Sequence, residues 1–163
     1  MKKTILFLLA FTFLLTSCLY EGNIKYDSGD EYKGFLKWRK PYGKGILKYK
    51  NGDIYDGDFI EGKKEGFGKF VYTNGDMYEG YYKQDLFHGK GKFTFKSGKV
   101  YEGDFREGKF DGKGKFTDTN GIIYEGDFRN DKQHGIGIKI LPSGQKKKVV
   151  YEEGKEIQSE DIK

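Results

Sequence analysis

The sequence predicts an all-β protein, an elongated single-layer antiparallel meander of stacked β-hairpins. Three observations predict this fold. The stretches YKGFL, YDGDF, YEGYY, YEGDF and YEGDF recur at a constant interval of 23 residues. Within each copy, aromatic residues or glycines alternate with charged residues, the period-two pattern of a half-exposed strand. Each copy ends near an Asn-Gly or Ser-Gly dipeptide, and both dipeptides are hairpin signals.

The first element along the chain, residues 1–17, is interpreted as a bacterial lipoprotein signal peptide with a helical apolar part. Lys2 and Lys3 precede an apolar run of 11 residues, 5–15, and small residues follow the run. A membrane-spanning helix needs about 20 apolar residues, so this run is too short to span a bilayer. Its three-part layout is that of a secretory signal.

The junction LTSC, residues 15–18, resembles the bacterial lipobox. The resemblance implies a diacylglyceryl group on the Cys18 sulfur, cleavage before Cys18, and acylation of the new N-terminus with a chain such as palmitate. Cys18 is the only cysteine, so a disulfide framework is excluded. The alternative is an ordinary secretory signal with an unrelated cysteine. Leu19, rather than Asp, follows Cys18, which resembles outer-membrane sorting, and we therefore expect a lipid-anchored protein of the bacterial outer membrane.

Four segments follow from the repeats. Residues 1–17 are the signal peptide, residues 18–31 the lipidated N-terminus with half a repeat, residues 32–146 five copies, and residues 147–163 a partial repeat with a C-terminal tail. Tyr151 is expected to begin a worn later copy after an insertion of four residues. The five copies are numbered one to five and begin at Tyr32, Tyr55, Tyr78, Tyr101 and Tyr124.

Glycine recurs at the third, twelfth, fourteenth and twenty-first positions of all five copies. Residues 103–110, GDFREGKF, nearly match a phosphate-binding loop, but they lack its final hydroxyl residue and recur in register at 57–64, so these glycines are structural. A two-residue loop between copies would pair Phe70 with Glu79. A three-residue loop ending in a left-handed glycine pairs Phe70 with Tyr78 instead. We predict the latter, because it gathers rings and glycines on one face and carboxylates on the other.

The predicted aromatic side is the candidate binding surface. Three of the 14 Phe lie in residues 1–17, which leaves 11 Phe and 13 Tyr for a sheet of ten to twelve strands. Exposed rows of rings are stacking surfaces for sugars or for side chains of a partner. The candidate residues are Tyr55, Phe59, Phe70, Tyr78, Tyr82, Phe93, Tyr101, Phe105, Phe116, Tyr124 and Phe128.

The pattern Tyr-x-Gly-x-aromatic, a gap, Gly-x-Gly-x-aromatic and a final Gly resembles the MORN repeat over residues 32–146. The resemblance implies an antiparallel sheet of stacked hairpins. It also implies a role in membrane apposition, scaffolding, self-association or anionic-lipid binding.

Neither catalysis nor a metal or cofactor is expected. The carboxylates recur in each copy on a solvated face, without the unlike environments that an acid–base pair needs. His88 and His134 hold the same position two copies apart, roughly 19 Å from each other, which is too far to share a metal ion. Without residues 1–17, which hold two lysines and no acid, the net charge falls from +5 to +3, too diffuse for nucleic-acid binding.

The leading hypothesis is a lipid-anchored, non-enzymatic binding or scaffold module for a protein, glycan or lipid partner. The second is a structural spacer, or a self-associating unit whose open sheet edges pair into a homo-oligomer. The third is an anionic-lipid headgroup binder that uses the lysines near the anchor.

Overall fold

The computed structural model describes residues 18–162, which form one antiparallel sheet of 13 strands. Each strand pairs with the next along the chain, so the predicted meander is confirmed. The signal peptide predicted at residues 1–17 lies outside the described residues. Within 18–162 there is no helix that would span a membrane. The strands are β1 (Tyr20–Lys25), β2 (Glu31–Lys37), β3 (Lys40–Lys48), β4 (Ile54–Ile60), β5 (Lys63–Val71), β6 (Met77–Lys83), β7 (Leu86–Thr94), β8 (Val100–Arg106), β9 (Lys109–Thr117), β10 (Ile123–Arg129), β11 (Lys132–Ile140), β12 (Lys146–Glu152) and β13 (Lys155–Ile162).

The hairpins between copies have the predicted three-residue loop and register. In the loop after β5, the Tyr72 amide donates to the Asp76 carbonyl at 3.0 Å, and Gly75 has a φ of 96°. Phe70 pairs with Tyr78. The left-handed conformation at the end of the loop explains the glycine at the twenty-first position, because glycine adopts it without a steric penalty.

The hairpins within copies are closed by two-residue turns with positive φ at both residues, the type I′ geometry that matches strand twist. These turns were not predicted. Five of the six turns, those after the first, also donate a backbone hydrogen bond to the copy before them; for example, the Gly62 amide donates to the Pro41 carbonyl at 2.9 Å. The six turns are Trp38-Arg39, Glu61-Gly62, Gln84-Asp85, Glu107-Gly108, Asn130-Asp131 and Glu153-Gly154.

A β-bulge follows each of these turns. In copy four, Phe105 pairs with Phe110 but Gly103 pairs with Gly114, so two steps along β8 correspond to four along β9. Gly112 lies in this bulge with a φ of 112°. The bulge therefore explains the glycine at the twelfth position, because a left-handed residue absorbs the extra length.

The C-terminal segment corrects one prediction. Lys147 pairs with Lys139 of β11, as Tyr124 pairs with Phe116 one copy earlier. Lys147 therefore holds the first position of a partial sixth copy and Tyr151 the fifth, so Tyr151 does not begin a copy and no insertion of four residues exists. The prediction was wrong because the residues that begin at Tyr151 resemble the first residues of a copy. The register is set instead by the pairing of β12 with β11. With β1 also formed, the sheet has more strands than the ten to twelve expected.

Candidate binding surfaces

The first tyrosine of each copy lies flat over a pair of glycines on neighbouring strands. In copy four, a Cβ added to Gly114 would lie 2.5 Å from Cε2 of Tyr101, and one added to Gly103 would lie 2.5 Å from Cα of Gly114. The Tyr101 hydroxyl donates to the carbonyl of Asp104 at 2.7 Å. The same bond, three residues along the chain, recurs in every copy, from Tyr32, Tyr55, Tyr78, Tyr101 and Tyr124.

These tyrosines form a continuous ladder with the aromatic residues at the fifth positions. Neighbouring rings meet edge to face, the arrangement that aromatic quadrupoles favour. Each first-position ring contacts the fifth-position ring of the next copy, so the ladder crosses every copy boundary. In copies two to five it also contacts the fifth-position ring of its own copy. Centroid distances run from 4.9 to 5.4 Å along Tyr32–Phe59–Tyr55–Tyr82–Tyr78–Phe105–Tyr101–Phe128–Tyr124–Tyr151.

The eleven predicted binding residues all lie on the side of the sheet that carries this ladder, here called the aromatic face. Nine of them are buried, and Phe93 and Phe116 are half-buried. Burial raises the pKa of Tyr32 and of Tyr124 to about 12. Their contact with a partner stays a prediction, and burial counts against it, because neighbouring copies of the chain already cover these rings.

A cleft remains open on the aromatic face of copies three and four. Its volume is about 530 Å³, and Lys99 and Asp131 are among the residues that line it. Phe87 stacks on Tyr78 at 3.7 Å between centroids. Six phenylalanines line the cleft: Phe87, Phe93, Phe95, Phe105, Phe110 and Phe116. Phe87, Phe95 and Phe110 were missed, although Phe at the tenth position of two successive copies was a usable signal.

Lys64 replaces this tenth-position phenylalanine in copy two. Its Nζ donates to the Tyr49 hydroxyl at 3.1 Å and lies 5.1 Å from the Phe70 centroid and 5.6 Å from that of Tyr55. Burial lowers the pKa of Lys64. Copy two thus fills with a cation–π contact the space that copies three and four fill with a ring.

The opposite side, here called the charged face, carries a longer groove. Its volume is about 1020 Å³, and glycine backbone from β6 to β11 lines it together with lysines and glutamates. Cross-strand ion pairs brace it, such as Lys90 Nζ to Asp104 Oδ1 at 2.8 Å and Lys113 Nζ to Asp127 Oδ1 at 2.7 Å. The lysines and glutamates of the lining are Glu79, Lys90, Lys92, Glu102, Lys113, Lys115 and Glu125.

Exposed apolar side chains stand at the two ends of this groove. Phe67 and Tyr81 contact each other edge to face at 5.5 Å, and both are exposed, Tyr81 at 52 %. Ile136, 56 % exposed, lies at the other end. The prediction that rings gather on one side therefore holds for the repeat positions, while Phe67 and Tyr81 depart from it.

Across residues 18–162, the His, Cys, Asp and Glu side chains form no group of three that would hold a metal ion. Cys18 is exposed and has a free thiol.

Comparison with known proteins identifies the repeats. The family model of the MORN repeat matches residues 32–54, 55–77, 78–100, 101–123 and 124–146. No curated protein sequence matches the chain.

Solved structures that are similar to the chain include the following two. One is the TCP domain of SAS-4 (dCPAP) from Drosophila melanogaster, in complex with a proline-rich motif of Ana2 (dSTIL). It is 16 % identical, with 88 % of this chain and 90 % of that chain covered and a TM-score of 0.41. The other is the wild-type TCP10 domain of Danio rerio CPAP, 11 % identical, with 87 % and 89 % covered and a TM-score of 0.31. At these TM-scores nothing about the partners of those domains transfers to this chain.

Proposed function

The chain belongs to the MORN-repeat family, and we propose that it is a lipid-anchored, non-enzymatic module that holds an extended segment of a partner protein in the groove of its charged face. The observation that carries this proposal is the groove itself. It crosses six neighbouring strands, its floor is glycine backbone, and exposed Tyr81 and Ile136 stand at its ends.

The groove suits an extended protein segment for two reasons. Lysines and carboxylates alternate along it, and equivalent side chains such as Lys92 and Lys115 are two strands apart, about 10 Å, so the surface offers charges of both signs at a regular spacing. The exposed aromatic pair Phe67 and Tyr81 provides the kind of anchor that dominates protein interfaces. A glycan or lipid would present fewer charged groups that pair with these lysines and carboxylates.

Membrane attachment through Cys18 completes the proposal. Cys18 is exposed and precedes β1, so acyl chains on its sulfur would extend from one end of the sheet. Two or more acyl chains hold a protein stably on a bilayer, whereas one chain gives marginal binding. The proposed location is the bacterial outer membrane. Mass spectrometry of the N-terminal peptide tests this: a diacylglyceryl adduct on Cys18 supports the anchor, and an unmodified or uncleaved N-terminus contradicts it.

Photocrosslinking in cells tests the groove. A benzophenone residue is placed at position 81 of the full chain, and the control carries it at position 96, in the exposed turn after β7. We expect a discrete protein adduct from position 81 and none from position 96. The double variant Lys92→Glu, Lys115→Glu should abolish the adduct, because it leaves only carboxylates in one cross-strand row of the groove, which is Glu79, Lys92, Glu102, Lys115 and Glu125 in the natural sequence. Absence of a protein adduct at position 81, or an adduct of only glycan or lipid, would contradict a protein partner.

Self-association is the second candidate, because within residues 18–162 β1 and β13 each pair on one side only and both edges of the sheet are exposed. Unpaired edges are templates for pairing with another chain. Sedimentation velocity of the detergent-solubilised full chain at several concentrations separates the two functions. Oligomers that grow with concentration favour the spacer, and a monomer throughout favours the binding module.

A further inference from the structure

The loops between copies are tied to one another in the N-terminal half of the sheet. In three successive loops, Oδ1 of an aspartate accepts a hydrogen bond of 2.8 Å from a backbone amide of the next loop. The pairs are Asp30 with Lys50, Asp53 with Thr73, and Asp76 with Lys96. Lys99 holds the equivalent position in the following loop. An ammonium group accepts no hydrogen bond, so Lys99 cannot tie its loop to the next one.

The phenylalanine cleft of the aromatic face lies where this tie is missing. At one margin of the sheet it is lined by Ser97 and Lys99 of the untied loop. At the opposite margin it is lined by Gly108 and Asp131, which belong to turns within copies. The cleft therefore runs along the strands from one margin of the sheet to the other, with Lys99 at the untied end.

The cover over the phenylalanines also changes at this point. Phe70 lies between two tyrosine rings, with centroids 5.5 and 4.4 Å away, and is 7 % exposed. Phe116 holds the same position two copies later, where Phe95 lies 6.5 Å away and Asp118 replaces the second ring. Phe116 is half-buried, so an aromatic surface that is covered in copy two stays open in copy four.

The cleft has the size and lining of a small-molecule site. Its volume of about 530 Å³ lies within the range of about 300–1,000 Å³ for such sites, which are mostly apolar with a few polar groups. Its rings are loosely spaced, since Phe95 lies 6.4 Å from Phe110 and 6.5 Å from Phe116, whereas rings of the ladder lie 4.9 to 5.4 Å apart. An aromatic ligand gains more here than an aliphatic one, because ring edges and ring faces carry opposite partial charges.

The charges that line the cleft favour an anion at one end. Lys99 is exposed, and no carboxylate of residues 18–162 lies within ion-pair distance of it. At the other end, Oδ1 of Asp131 accepts a hydrogen bond from the Phe110 amide at 2.9 Å, so the backbone holds this carboxylate in place. A negative group of a ligand is therefore attracted to the Lys99 end and repelled from the Asp131 end.

We propose that this cleft binds a small aromatic carboxylate, with its ring among Phe95, Phe110 and Phe116 and its carboxylate at Lys99. The site is separate from the groove proposed to hold a partner protein, because it lies on the other face of the sheet. Lys99 has two effects: it removes the tie that joins the earlier loops, and it supplies the cation that selects an anionic ligand.

Photolabelling of the detergent-solubilised full chain tests this site. The probe is 4-benzoylbenzoate, an aromatic carboxylate that inserts into nearby C–H bonds when it is irradiated, and the matched neutral probe is 4-methylbenzophenone. We expect labelling by the carboxylate to saturate, and peptide mapping by mass spectrometry to place the adduct on residues that line the cleft. Labelling that does not saturate, or that maps to other segments of the chain, would overturn the proposal.

Two variants separate the charge from the rings. Lys99→Gln should raise the half-saturating concentration of the carboxylate about two- to fivefold, as expected for an exposed ion pair, and leave that of the neutral probe unchanged. Phe95→Asp should abolish labelling by both probes, and Asp118 at the same position of copy four shows that the repeat accommodates it. The control Lys96→Gln changes a lysine of the same loop outside the lining and should alter neither value. Equal carboxylate binding by Lys99→Gln and the natural chain would overturn the role of Lys99.

Competition between two unlabelled carboxylates tests the aromatic part of the ligand. Naphthalene-2-carboxylate should displace 4-benzoylbenzoate from the cleft, because its rings pack against the phenylalanines. Decanoate carries the same charge on an aliphatic chain and should leave the labelling unchanged at the same concentration. Displacement by decanoate at that concentration or below it would overturn the choice of an aromatic ligand.

Discussion

Copy four and the partial sixth copy build the same hairpin around different side chains. In copy four, the Tyr101 ring lies over Gly103. In the sixth copy Lys147 replaces that tyrosine, and Val149, with no exposed surface, replaces the glycine. The difference teaches that ring and glycine form one packing unit: where the ring is lost, an aliphatic side chain fills the space it would have covered.

The same comparison explains the glycine at the twelfth position. The sixth copy has Gln158 there. One step along β12, from Val150 to Tyr151, corresponds to two along β13, from Gln158 to Glu156, whereas the internal bulge of copy four takes up two extra residues. A residue without left-handed freedom thus accompanies a smaller bulge. Tyr151 still meets Tyr124 edge to face at 5.1 Å, so the ladder continues although the bulge changes.

The largest effect is expected from breaking the ring–glycine unit in copy three. Tyr78→Ala should lower the free energy of unfolding by about 3–5 kcal/mol. Gly91→Ala alone should lower it by about 1–3 kcal/mol, because the new Cβ would lie 2.6 Å from the Tyr78 hydroxyl oxygen. In the Tyr78→Ala background, Gly91→Ala should be neutral or stabilising, since alanine loses less backbone entropy.

Urea unfolding of these four proteins, followed by circular dichroism, measures the coupling. If the losses in free energy of unfolding of the two single variants add in the double variant, ring and glycine pack independently. The interpretation that they form one packing unit would then be wrong.

The second-largest effect is expected from alkaline pH, which should lower the free energy of unfolding through the tyrosine ladder. Burial raises the pKa of Tyr32 and Tyr124 from 10.0 to about 12, so the unfolded chain releases these protons first. The stabilisation is complete below pH 10 and is lost as pH rises from about 10 to about 12. Each such tyrosine contributes a slope of at most about 1.4 kcal/mol per pH unit.

Unfolding free energies measured across this range check the sign, and Tyr124→Phe should flatten the slope by one proton. A stability that stays constant to pH 12 would show that the rings ionise as they do in water.

Removal of a single tyrosine hydroxyl group should lower the free energy of unfolding by a smaller amount. Tyr101→Phe should cost about 1 kcal/mol, because the carbonyl of Asp104 loses its donor. The matched control is Tyr82→Phe. The Tyr82 hydroxyl is buried with no hydrogen-bond partner among residues 18–162, and the equivalent residue is Phe59 in copy two and Phe105 in copy four. We expect the control to be neutral or stabilising in thermal unfolding, and equal losses in both variants would contradict a specific role for the tyrosine–carbonyl bond.

The smallest effect is expected at the atypical turn of copy one, near the N-terminal end of the sheet. Arg39→Gly should raise the free energy of unfolding by up to about 1 kcal/mol, because it removes a large side chain from a φ of 61°. The reciprocal variant Gly62→Arg, at a φ of 87° in copy two, should lose a similar amount. Chemical denaturation of both proteins checks the pair. Destabilisation by Arg39→Gly would mean that the Arg39 side chain stabilises the sheet through its contacts.

By itself the sequence determined the sheet, the loop length between copies and the side that each repeat position faces. It did so because strand side chains alternate with period two, and a shift of one residue would exchange the aromatic and charged faces.

Only the tertiary structure decided which rings are covered and which surfaces stay open. Alternation tells which side Tyr55 and Phe93 face, but burial depends on what the neighbouring copy places over them, and Tyr55 is covered while Phe93 lines a cleft. The position of Tyr151 required the pairing of β12 with β11. The proximity of Trp38 to Cys18 likewise follows from the pairing of β1 with β2, because residues 20 apart in sequence meet only when the hairpin between them closes.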